Sequence, residues 1–187
     1  MIEFNYAIPY EELDLRKEPH LYRIGRSEQG ALMVQPYKAE LLPYLKTKTV
    51  AEARASADKI LEQYINWARL GDFPGCDMSR KYLQMGFSIA RRYANHSNGK
   101  KYDKRTGSVR ALSNTVKSCQ RALCATIFKT NLNLICLDQN YREARIIWRS
   151  YEEQIYNSGP RPVPSCMRDY LSKSAKSVKS DATCMEL

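Results

Sequence analysis

A chain of 187 residues with 43% hydrophobic content suits one domain with tails, large enough to bury a core without disulfides. Its 30 basic residues against 20 acidic ones leave a formal charge of +10. That balance favours an anionic partner by long-range attraction, or a basic surface kept for solubility. No apolar run reaches membrane-span length, no Cys or His pair has structural-zinc spacing, and the segment Met1–Leu13 lacks the basic start and apolar run of a secretory signal. The six scattered cysteines therefore read as free, mostly buried thiols in a reducing compartment. The cytoplasm is the default and the nucleus or a virion an alternative.

In chain order, residues 1–48 are punctuated by Pro9, Pro19, Pro36 and Pro43, which forbid long helices and suggest an arm that wraps the domain. A short strand fits Ala31–Gln35 after the turn-like Ser27–Gly30. The clearest helix starts at Thr49, where Thr49 and Glu52 form a capping box. Val50, Ala53, Ala57, Ile60, Leu61, Tyr64, Ile65 and Ala68 recur at helical spacing before Gly71, a left-handed cap.

A second helix is expected from Asp77 as N-cap, after the Phe73-Pro74-Gly75 turn, to a turn cluster at residues 95–99. Met78, Tyr82, Met85, Ile89 and Tyr93 line its apolar side, and Gly86 would permit close helix contact. Arg80, Lys81, Arg91 and Arg92 fall off that line and are expected to project. Further helices fit residues 114–129 and 137–156. From residue 158 a Pro-rich stretch and a Ser/Lys alternation read as a disordered basic tail. The expected fold is thus mainly α: a single helical domain over 1–157, with an irregular arm at 1–48, helices over 49–157, and a tail at 158–187.

The charge is concentrated. Between Ser79 and Arg110 there are nine basic residues and one acid, Asp103. Arginine forks match phosphates, lysines add mobile charge, and nearby tyrosines can stack on bases. The candidate anion-binding set is Arg80, Lys81, Arg91, Arg92, Lys100, Lys101 and Arg105, with Arg23 and Arg26 joining if the arm folds back. The partner class is nucleic acid or another phosphorylated ligand, with no membrane, cofactor or metal called for. Two alternatives stay open. His96 could act as general acid/base on a phosphorylated substrate or nucleic acid, with Tyr102 and Asp103 orienting it; or the basic face could meet an acidic protein partner, as in a virion-associated protein. No Walker A loop, dinucleotide fingerprint, nucleophile elbow or kinase signature occurs.

Several blocks carry a resemblance. They are Leu15-Arg16-Lys17 with Pro19, Leu21 to Arg26, Glu28-Gln29-Gly30, Gln35 to Lys38 and Leu42-Pro43. Gly71-Asp72-Phe73, Asp77-Met78, Arg80-Lys81, Gln84-Met85-Gly86, Ala90 to His96, and Lys101-Tyr102-Asp103 continue it. Over about residues 10–105 the chain resembles the family called domain of unknown function 4385, small proteins of bacteria and large DNA viruses. The resemblance implies one shared domain type and transfers no catalytic residue. Beyond Arg105 the chain departs from that pattern, and Cys76 and the later cysteines fall outside it.

Overall fold

The computed structural model of the chain describes residues 6–96 and 98–184. Ser97, within the expected turn cluster, and residues 185–187 of the expected tail lie outside the described residues. The described residues form six α-helices: α1 (Tyr37–Leu41), α2 (Val50–Leu70), α3 (Phe73–Asn95), α4 (Val116–Leu137), α5 (Gln139–Ser158) and α6 (Cys166–Cys184). The mainly helical class expected from periodicity is what the chain adopts.

Both ends of α2 follow their local chemistry. The Glu52 amide donates to Thr49 Oγ1 at 3.2 Å while the Thr49 amide donates to Glu52 Oε2 at 3.1 Å, so two otherwise orphaned donors are satisfied. Gly71 closes the helix at φ 78°, in the left-handed region. Ala53, Ala57, Ile60, Leu61, Tyr64 and Ala68 are buried, as their spacing predicts.

Helix α3 begins one turn earlier than expected. Asp72, not Asp77, is its N-cap and accepts from the Gly75 amide at 3.1 Å. Pro74 occupies the first turn, where its missing N–H removes no helical bond. Gly75 permits contact with α2, since a Cβ there would fall 2.7 Å from Trp67 Cδ2. What reads as a Phe-Pro-Gly turn is therefore a helix start pressed onto a tryptophan.

The arm is irregular but built in. Tyr22, Ile24, Ala31, Val34 and Tyr37 are buried. The Tyr82 hydroxyl on α3 donates to the Ala31 carbonyl at 3.0 Å. No strand forms among the described residues. At Ala31–Gln35 the amides of Ala31, Met33 and Val34 bond back to Glu28 and Gly30 carbonyls, so the segment closes into turns and finds no partner strand.

Two helices extend past their expected ends. Helix α4 starts with a second capping box, Thr115 with Ser118, and runs to Leu137 rather than Lys129. Asp138 then accepts from the Tyr141 amide at 2.7 Å and starts α5. Gly86 on α3 does allow close approach, because a Cβ there would overlap the Phe128 ring of α4.

The reading of 158–187 as a disordered tail is corrected over Cys166–Cys184, which form α6. Met167, Leu171, Ser174, Ala175 and Val178 are buried at helical spacing against the rest of the core, and the Tyr64 and Ser174 hydroxyls bond to each other. Serine and alanine are small enough to let α6 lie close to α2, so a composition poor in large apolar residues still builds an interface. At the centre, Trp148 of α5 stacks on Phe73 of α3 with ring centroids 4.6 Å apart, and Tyr22 and Tyr151 meet it edge-on.

Candidate nucleic-acid interface

Two of the candidate cations do not project. Arg80 is 6% exposed and Lys81 is fully buried, together with Asp77. Arg80 Nε donates to Asp77 Oδ1 at 2.8 Å, Arg80 Nη2 reaches the Ser27 carbonyl at 3.3 Å, and Lys81 Nζ lies 3.5 Å from Asp77 Oδ2. The hydroxyls of Tyr22 and Tyr141 donate to the same carboxylate at 2.6 and 2.8 Å. These residues lie off the apolar line of α3, but the arm covers that side, so both faces of the helix are interior. Arg80 and Lys81 are therefore structural cations, removed from the candidate surface.

The electrostatics of this cluster follow from its geometry. Burial alone would push the Asp77 carboxyl up, yet the Arg80 and Lys81 charges and the donated hydrogen bonds outweigh it and hold Asp77 well below the usual carboxylate range. Lys81 is pushed down to about 8, mainly by burial, with Asp77 opposing the shift.

The remaining cations lie elsewhere. Arg91 and Arg92 are exposed near the end of α3; Lys100, Lys101 and Arg105 are exposed in the segment leading to α4, where Lys104 and Lys117 are exposed too. Arg26 is exposed on the arm. Arg23 is half-buried and spends its Nη1 on the carbonyls of His20 and Tyr22, at 2.6 and 3.0 Å. Among the described residues no hydrogen bond or ion pair joins either arm arginine to the α3–α4 segment.

That segment has a built centre. The Asp103 amide donates to the Ser108 carbonyl and the Arg110 amide to the Lys101 carbonyl, both at 2.9 Å, framing an antiparallel bridge between Tyr102 and Val109. The pair sits between its hydrogen bonds and not on them, which brings the two side chains close together on one face of the hairpin. Asp103 and Arg110 belong to the other face, where they form an ion pair at 2.8 Å. The second Asp103 oxygen accepts from the Arg105 and Thr106 amides at 2.9 and 3.2 Å, and Gly107 supplies φ 69° at the tip. These bonds hold the Asp103 carboxyl below its ordinary value, the Arg105 amide contributing first.

The hairpin root is fixed as well. Gly99, at φ 68°, brings its backbone against the Tyr93 ring, where a Cβ would fall 2.9 Å from Cε1. The Arg121 guanidinium lies over the same ring at 5.4 Å. The Ser113 amide donates to the Asn95 carbonyl at 2.8 Å.

His96 is buried at the C-cap of α3, with Nδ1 lacking a hydrogen-bond partner among the described residues. Its expected orienter Asp103 already has its oxygens engaged with Arg105, Thr106 and Arg110, and Tyr102 points from an exposed bridge position. The structure brings no hydrogen bond between His96 and either residue among the described ones. The signal that sequence reading missed was the Tyr102–Val109 pairing, legible in hindsight from Asp103-x-x-x-Gly107 as a turn between them.

Two grooves lie away from the hairpin. One, of about 630 Å³, runs between α2, α4 and α6 past Leu61, Ile65, Ile127 and Leu134; the other, of about 590 Å³, continues it toward Leu137. No described group of three or more His, Cys, Asp or Glu gathers as a metal site, and no described helix is long and apolar enough to cross a membrane.

No curated protein and no solved structure matches this chain. A family model does, over residues 5–151, which extends the likeness past Arg105 through the hairpin, α4 and most of α5. The match takes in the arm, the Asp77 cluster and the basic hairpin together, and covers well over half of the sequence: the chain belongs to the family described as Domain of unknown function (DUF4385).

Proposed function

We propose that the protein binds nucleic acid through its phosphate backbone, using the surface formed by the end of α3, the Tyr102–Val109 hairpin and the start of α4. One observation supports this above the others. Arg91, Arg92, Lys100, Lys101, Lys104, Arg105 and Lys117 are all exposed, and none is in an ion pair among the described residues. Asp103, the one acid between Arg91 and Lys117, is already neutralised by Arg110. A run of seven free cations over a hairpin whose backbone is tied at both ends is a field that polyphosphate matches, because each phosphate contact releases a condensed counterion.

The test is fluorescence anisotropy with a labelled 20-nucleotide strand across a salt series. Log affinity is expected to fall linearly with log salt, by roughly 0.7 for each phosphate neutralised on a single strand. Lys104→Ala with Arg105→Ala should reduce that slope by about 1.4, and Arg91→Ala with Arg92→Ala by a similar amount. Affinity that stays flat with salt, or that both double variants leave unchanged, overturns the proposal. Competition by poly-glutamate as strong as that by the oligonucleotide would overturn it in favour of an acidic protein partner.

A further inference from the structure

Charge alone does not account for the outer face of the hairpin. Tyr102 is 54% exposed and Val109 is 63% exposed, side by side on the face opposite the Asp103–Arg110 pair. Lys101 Nζ lies over the Tyr102 ring, 5.3 Å from its centroid, and Lys104 and Arg105 are exposed at the tip beyond it. A tyrosine exposed to solvent next to Val109, beside cations, gives a protein that meets phosphates a ring as well as charge. It suits one that meets an unpaired base, whose flat face stacks on the ring while its phosphates meet the lysines.

The geometry points to Tyr102 as a base-stacking platform that selects single-stranded over double-stranded nucleic acid. This rests on the phosphate-binding reading above and adds the strandedness of the ligand. In a duplex the base faces are already stacked on one another, so only the backbone term is available and Tyr102 contributes nothing. Tyr93 has a different role: with the Gly99 backbone packed against its ring and Arg121 over it, it supports the hairpin root.

The test compares a 20-nucleotide mixed-sequence single strand with a blunt duplex of the same sequence, by anisotropy at one moderate salt concentration, using the full chain. Three variants separate the contributions. Tyr102→Phe keeps the ring. Tyr102→Leu keeps an apolar partner for Val109 without a flat face. Lys104→Ala with Arg105→Ala removes charge alone. Stacking by one base is worth a factor of roughly 5 to 150 in affinity. Tyr102→Leu is therefore expected to weaken single-strand binding within that range and to leave duplex binding within about twofold, whereas Tyr102→Phe stays near wild type for both. The charge variant should weaken both ligands.

Equal loss of single-strand and duplex affinity in Tyr102→Leu would overturn the stacking role, since the ring would then serve only the hairpin's shape. So would no loss for either ligand; in both cases phosphate binding itself would stand. Absence of binding to both ligands by the wild-type chain would overturn stacking and phosphate binding together. Binding of the wild-type chain to vesicles containing anionic phospholipid, abolished by Tyr102→Leu, with oligonucleotide binding unaffected by it, would reassign the platform to a lipid surface.

Discussion

The Tyr22 hydroxyl donates to Asp77 Oδ2 at 2.6 Å and so fastens the N-terminal arm to the second turn of α3. Tyr141 does the same for α5 through Oδ1 at 2.8 Å, and Arg80 joins the carboxylate to the Ser27 carbonyl. One fully buried carboxylate thus holds three parts of the chain that share no sheet and little regular packing. An arm without long helices or strands cannot align itself by ladder hydrogen bonds, and a charged anchor with fixed geometry supplies the register that a sheet would otherwise give.

Removing that anchor should be far worse than removing one of its cations. Asp77→Ala leaves Arg80 and Lys81 as buried, uncompensated charges and is expected to cost about 3–5 kcal/mol. Lys81 Nζ, by contrast, has no hydrogen-bond partner of good geometry. Replacing it with methionine, of similar length, should leave stability within about 1 kcal/mol of wild type or raise it. Urea unfolding of both variants checks this, and comparable losses in the two would refute the asymmetry.

The same lysine predicts how stability changes with pH. Its folded-state value is about 8, against an ordinary value of 10.5, so between those limits the unfolded chain holds a proton that the folded chain has released. Stability therefore rises with pH from about 8 upward as the cost of the buried charge disappears. Burial raises the Cys76 thiol and the Tyr22, Tyr64 and Tyr141 hydroxyls, whose unfolded forms ionise near 9 and 10 while the folded forms do not. Those groups make stability fall as pH passes their ordinary values. The urea midpoint is expected to climb to a maximum at roughly pH 9 and then drop, and the climb should vanish in Lys81→Met.

How much of this was legible depended on whether a residue's neighbours were local. The capping box at Thr49, the Gly71 stop and the α2 stripe are decided within one or two turns, and spacing exposed them. The burial of Arg80 and Lys81 is decided by residues more than 50 positions away, at Tyr22 and Ser27. Periodicity assigns an off-line residue to solvent only if the helix has a solvent face there, and α3 has the arm instead. The candidate site divided in the same way. Exposed cations such as Arg91 and Lys101 were readable as charge, whereas the platform arises from a cross-strand pair seven residues apart.

Helix α6 makes a third expectation, because composition would have it dispensable. Leu171, Ala175 and Val178 recur at i, i+4 and i+7 inside a run of serines and lysines, and all three are buried. Met167 and Leu171 alone are worth about 1.5–3 kcal/mol each on burial. A chain ending at Ser158 should lose several kcal/mol, although the family match at residues 5–151 stays intact. Thermal unfolding of the truncated and full chains would show it, and equal midpoints would mean that α6 only rests on the surface.

The Gly86–Phe128 contact predicts a substitution that defies helix propensity. In the interior of a helix, Gly→Ala ordinarily gains about 1 kcal/mol. Here the added methyl would overlap the Phe128 ring, and overpacking of that kind costs about 1–3 kcal/mol. Gly86→Ala should be net destabilising in urea unfolding. Phe128→Leu should be less damaging in the Gly86→Ala background than in the wild type, a coupling that two independent sites would not show.

Asp103 provides the sharpest contrast between a collection of charges and a built platform. Asp103→Ala adds one net positive charge to the most basic stretch of the chain, so charge counting expects tighter binding to an oligonucleotide. The carboxylate, however, accepts from Arg105, Thr106 and Arg110, and loss of charged hydrogen bonds of this kind costs a loop about 1–2 kcal/mol of order. The hairpin that presents Tyr102 would then be populated less, and single-strand affinity should fall by roughly threefold or more despite the added charge. Duplex affinity, which needs only the cations, should hold or rise. Tighter single-strand binding in Asp103→Ala would mean that the cations act without the hairpin's geometry, and that the ordered Tyr102–Val109 face is incidental to binding.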